Sequence, residues 1–148
     1  MVYNLFLFVH IAAVIIWIGG AFALVVLNGR IADEPDPAAA AVLSRQAAFF
    51  GRTVFGPAVV TTLAAGIVMI AVSGMGTPLW VIWGVAGLIA SSLIGAIPLR
   101  RTGQALAALH GKGGTRWLAL RRRLTLLSTV NLLLLLSVIW AMVFKPVL

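Results

Sequence analysis

The chain has 148 residues and a net charge of +8, and 62% of it is hydrophobic while only 9% is charged, against about 25% charged in a soluble domain. Too few polar side chains remain to clothe a water-facing surface, which excludes a soluble fold. The absence of cysteine excludes disulfides, thiolate metal sites and thiol catalysis.

Residues 1–29, 53–99 and 124–144 contain no charge at all. Each run reaches the roughly 20 residues that a helix needs to cross hydrocarbon. The 53–99 run is interrupted by "SGMGTP" at 73–78, a turn signal. The expected architecture is therefore an all-α, integral membrane four-helix bundle made of two antiparallel hairpins. It is a single domain over 1–148, with spans near 3–28, 54–74, 79–99 and 124–144.

Span one has no basic residues ahead of it and is too long for a signal peptide, so it reads as a retained helix. It carries His10 inside "FVHIAAVIIWIGG", and an ionisable side chain at membrane depth needs a purpose, such as ligand binding, or a partner, such as a neighbouring serine, threonine or backbone carbonyl. Helical spacing puts His10, Val14, Trp17 and Ala21 on one face with Gly20 beside them, so that face turns inward. Gly19 and Gly20 form a close-packing seam. Beyond the span, Asp33, Glu34 and Asp36 are the only acids in the chain, and they read as solvated surface charge, with pairing to loop arginines as the alternative. Asp36-Pro37 is a helix start, with Asp as N-cap and Pro in the first turn. The stretch "AAAAVLSRQAAFFGRTVFG" extends span two, with a kink or restart at Gly56-Pro57.

Span two carries Thr61, Thr62 and Met69. Span three carries Gly87, Ser91 and Gly95, a small-residue repeat for tight helix contact. "TGQALAALHG" prolongs it, "GKGG" turns the chain, and "TRWLALRRR" leads into span four with Ser128, Thr129, Asn131 and Met142. Tyr3, Trp80 and Trp140 sit where outer interface anchors belong, and Trp117 where an inner one does. The Thr61, Thr62, Ser128, Thr129 and Asn131 side chains are expected to form an interhelical hydrogen-bond cluster.

Of the eleven basic residues, ten lie in the 30–53 and 100–123 connections and only Lys145 lies elsewhere. By the positive-inside rule those connections are cytoplasmic and both termini face outward, N-out and C-out, in a multi-pass protein of the cell's inner membrane. The arginines then meet anionic headgroups of the lipid bilayer rather than nucleic acid.

By the roughly 1.5 Å rise per residue, His10, Met69 and Met142 all lie about 22 to 27 Å above the cytoplasmic ends of their spans. One imidazole and two thioethers are soft neutral ligands, suited to copper or to the axial positions of a haem b. His10, Met69 and Met142 are thus the candidate metal ligands, and His10, Trp17 and Met142 the candidate haem-binding set. His110 cannot complete a bis-histidine haem with His10, because the two sit about 25 Å apart on opposite sides of the bilayer. There is no intramembrane acid to support proton-coupled transport. Nor is there a Ser/His/Asp set, a phosphate loop or a carboxylate pair, which leaves no hydrolytic or phosphoryl-transfer site.

"HIAAVIIWIGG", "FGPAVVTTLAAGIVMI", "PLWVIWGVAGL" and the final "MVFKP" together resemble the CopD-like membrane proteins. That group includes CopD, the HemJ-type protoporphyrinogen oxidases and a branch of uncharacterised four-span proteins, which is the most similar. The resemblance to HemJ implies His10 as a haem ligand, and the resemblance to CopD implies copper passage. HemJ-type enzymes also carry a lysine after the third-helix tryptophan and an acid in the fourth helix. Here "VIWGVAG" and "STVNLLLLL" contain neither. The expectation is therefore a haem b or copper-binding bundle without a catalytic site. The alternatives are an accessory subunit, whose glycine seams pack against a second copy or a larger respiratory or photosynthetic complex, and a HemJ-like oxidase.

Overall fold

Long apolar stretches free of proline set the first element. α1 runs from Val2 to Asp33, with Arg30 in its last turn where a cation suits the helix dipole. It stops because Glu34 precedes Pro35, and the residue before a proline is pushed into extended backbone, here φ −70 and ψ 119. Asp36 then caps α2 (Pro37–Phe50): its carboxylate accepts from the Ala38 N–H at 2.9 Å, with Pro37 in the first turn. These coordinates are a computed structural model that describes residues 1–109 and 114–145. His110, most of the "GKGG" turn and Pro146 lie outside the described residues.

α2 does not end before the membrane segment. A π-helical turn at Gly51–Phe55 joins it to α3 (Gly56–Ser73). The same device joins α4 (Leu79–Ile94) through Gly95–Leu99 to α5 (Arg100–Ala108). The expected restart at Gly56-Pro57 is thus a widened turn in one continuous helix. Pro57 offers no N–H to the carbonyl four residues back and its ring crowds that carbonyl, and one extra residue in the turn relieves both. Pro98 lies inside the second π turn, a feature not foreseen from the sequence. α3 ends at Gly74, whose φ of 63 is left-handed and whose N–H returns to the Ile70 carbonyl at 3.2 Å. α6 (Thr115–Phe144) is 30 residues long and closes at Lys145, also left-handed at φ 45.

Four helical stretches are long and apolar enough to cross a membrane: Val2–Asp33, Pro37–Ser73, Leu79–Ala108 and Thr115–Phe144. α1 packs most extensively on α3, and α4 on α6. α1 with α6 and α3 with α4 close the ring, so α1 and α4 stand at opposite corners, as do α3 and α6. All four meet in one layer built from Trp17, Ala58, Leu88 and the fully enclosed Leu135. Three glycines admit the side chain opposite: Gly20 admits Phe55, Gly84 admits Met142 and Gly87 admits Val138. The outer surface is apolar instead, with Ile15, Val60, Ile82 and Leu133 among its exposed residues. That is the surface a lipid-bathed bundle presents.

Candidate functional site

His10 faces α3, and its ring nitrogen Nδ1 lies 2.9 Å from the carbonyl oxygen of Thr62. A carbonyl can only accept, so Nδ1 carries the hydrogen and donates it. In the neutral ring the free lone pair is then on Nε2. A backbone carbonyl on one ring nitrogen and an open lone pair on the other is the arrangement found in metal-bound histidines. Gly66 packs against the ring: a Cβ built there would lie 3.5 Å from Cε1 and 3.6 Å from Nδ1, ordinary contact distances. Thr62 keeps its own hydroxyl out of the way, because Oγ1 donates to the Ala58 carbonyl at 2.8 Å. His10 itself is half-buried.

The other candidates divide between two seams. Met69 is half-buried and lies two helical turns beyond Thr62, on the same face of α3. Helical spacing therefore turns it toward the α1–α3 seam, about 10 Å along α3 from Thr62. Met142 belongs to the other pair: its thioether lies against α4, with the sulfur 3.8 Å from where a Gly84 Cβ would stand. Trp17 is buried in the four-helix layer, about 10 Å along α1 from His10 at the helical rise. The inward face expected for His10, Val14, Trp17 and Ala21 is thus the face that packs, while Ile15, Ile16 and Phe22 face outward.

The expected hydroxyl cluster does not form. Thr61 and Thr129 are exposed, and α3 and α6 occupy opposite corners. The hydroxyls of Thr62, Ser92 and Ser137 instead bond carbonyls of their own helices, the usual recourse of such side chains in apolar surroundings. One group is left over. Asn131 is buried at 8% exposure, and its Oδ1 has no hydrogen-bond partner among the described residues. One contact was not foreseen: Trp83 donates from Nε1 to Ser137 Oγ at 3.3 Å, tying α4 to α6. Of the two readings open for the acids, Asp33 takes the pairing with a loop arginine: it accepts from Arg121 Nη2 at 2.6 Å while remaining 63% exposed.

Among the described residues no group of three or more His, Asp or Glu side chains converges on one point. A centre here would rest on His10 and on ligands of other kinds, such as the thioethers or a macrocycle. No family model matches the chain, and neither does any curated protein or solved structure.

Proposed function

We propose that this protein is a four-span membrane bundle that holds a haem b or a copper ion near its outer face through His10. The observation that carries this reading is the 2.9 Å contact from His10 Nδ1 to the Thr62 carbonyl, which fixes the ring and leaves Nε2 as a ligand. That donor suits either group, and Met69 on the same seam supplies a soft second ligand type. Bound there, haem iron or copper would give the protein a one-electron redox centre. Met142, packed on α4, would have to leave Gly84 to join it.

The topology belongs to the same proposal. His10 meets Thr62 and Gly66 while Gly20 meets Phe55, and Gly84 meets Met142 while Gly87 meets Val138. Numbers that rise on one helix as they fall on its partner support antiparallel hairpins. The arginine-rich ends then face the cytoplasm and both termini face outward. The accessory-subunit alternative keeps only Gly19 and Gly95, which meet nothing within 4 Å, because Gly20, Gly84 and Gly87 are filled within the bundle.

The test is an absorption spectrum with metal analysis on purified protein, wild type beside His10→Ala. A Soret band or stoichiometric copper that His10→Ala removes is the expected result. Colourless, metal-free protein that co-purifies with other membrane proteins would replace this reading with the accessory one.

A further inference from the structure

Between α1, α5 and α6, at the end of the bundle where the arginines gather, lies a cavity of about 120 Å³. Its floor is apolar, with Leu106 and Leu124 both buried, while Asn28 and Ser128 supply polar atoms to its wall. Arg121 stands at its mouth. We propose that this cavity is a specific site for the headgroup of an anionic phospholipid, with Arg121 as the phosphate ligand.

Arg121 is held differently from a surface arginine. Asp33 takes one N–H from Nη2 at 2.6 Å, and the guanidinium lies 5.4 Å from the centroid of the Trp117 ring. The fork is thus held from two sides, with further N–H donors unspent among the described residues, and less side-chain entropy remains to be lost when it grips a phosphate. The groove continues past Arg121 over a shallow strip of α6 formed by Leu118, Arg122, Thr125 and Leu126. That strip offers a second cation for the headgroup and an apolar track for an acyl chain. Charge complementarity selects the ligand, since Arg122 lines the adjoining strip, Arg30 and Arg123 directly follow and precede the lining residues Gly29 and Leu124 in the chain, and Asp33, the acid at the site, is already bonded to Arg121. Trp117 sets the depth, as tryptophan prefers the headgroup level. A free phosphate would use the arginine but leave the apolar strip uncovered, so the lipid is the occupant that fits both parts. Asp33 is a positioning residue in this site, acting through Arg121.

Gly29 lines the same cavity, and a Cβ built there meets nothing within 4 Å. Gly29→Leu therefore adds an apolar side chain at the cavity lining while keeping every charge. Arg121→Gln removes the ligand, and Arg45→Gln removes an equal charge from exposed α2, away from the cavity. Full-length protein in neutral detergent is titrated with phosphatidylglycerol, with phosphatidylcholine and with inorganic phosphate, following the thermal unfolding midpoint. The midpoints without lipid report whether each variant has folded. The expected result is stabilisation by phosphatidylglycerol alone. Half-saturation should rise about tenfold in Arg121→Gln and in Gly29→Leu, the loss of one desolvated charge-assisted contact, and stay unchanged in Arg45→Gln. Equal weakening by Arg45→Gln would reduce the effect to bulk charge and overturn the site. So would wild-type affinity in Gly29→Leu, or equal stabilisation by phosphate salt or by phosphatidylcholine.

Discussion

At the scale of single residues, membrane depth turns each polar atom into a question of partners. His10 answers it with the Thr62 carbonyl, and Asn131 leaves it open. An acceptor buried without a partner costs about 1–3 kcal/mol, and replacing it with an apolar group of similar shape recovers part of that. Asn131→Leu is therefore expected to stabilise the bundle by about 1 kcal/mol, read as a higher unfolding midpoint in detergent. A lower midpoint would mean that the amide oxygen is engaged in the membrane-embedded protein. His10 was legible in the sequence because an imidazole in an apolar run is conspicuous. A backbone carbonyl was among the partners it could be expected to find, but any residue can offer one and only the α1–α3 register selects Thr62. The thioethers show the complementary failure. Depth along a helix can be counted from the sequence, and it put Met142 level with His10. Which neighbouring helix a side chain leans toward depends on the order of helices around the ring, and that order put Met142 against Gly84.

At the scale of elements, the two prolines and the small residues decide how helices meet. Four apolar spans with a Gly/Pro turn in the middle are readable from charge segregation alone. The two π turns are not, because a proline reports a fault in the ladder without saying how the backbone absorbs it. The α4 repeat of Gly87, Ser91 and Gly95 likewise reads as one seam, yet its members differ. Gly87 receives Val138, Ser91 is buried, and a Cβ at Gly95 would meet nothing within 4 Å. Gly84, one turn earlier, extends the seam to Met142. These contacts predict different outcomes for one change at two glycines. In Gly87→Ala the new methyl meets a β-branched side chain with a stiff χ1, and the misfit should cost about 1–3 kcal/mol. In Gly84→Ala it meets only the terminal methyl of Met142, a flexible chain that can rotate aside. The gain in helix preference of about 0.8–1 kcal/mol over glycine should then leave stability within about 1 kcal/mol of wild type. Unfolding in graded denaturing detergent separates the two, and equal losses would mean that the α4–α6 seam is not packed as described.

For the molecule as a whole, the burial pattern is turned inside out relative to a soluble bundle. Its interior is one thin layer around Leu135 with a few polar side chains, and its exterior is aliphatic. Such a body is stable only where lipid covers it, and its charges then decide which way it sits. Cationic connections are retained on the cytoplasmic side during insertion, so the ten basic residues of the 30–53 and 100–123 connections should stay inside. The chain has no native cysteine, which makes the prediction simple to test with single introduced thiols. Met75, exposed in the short α3–α4 turn, is one position, and Arg45, exposed on α2, is the other. A membrane-impermeant maleimide applied to intact spheroplasts should label Met75→Cys at once and Arg45→Cys only after the membrane is opened. That labelling would place His10 on the outer side, because α1 carries it toward the same end of the bundle as the α3–α4 turn, opposite the Asp33–Arg121 pair. The reverse labelling pattern would invert the whole protein, moving the proposed metal centre to the cytoplasmic face and the arginine-lined cavity to the outer leaflet.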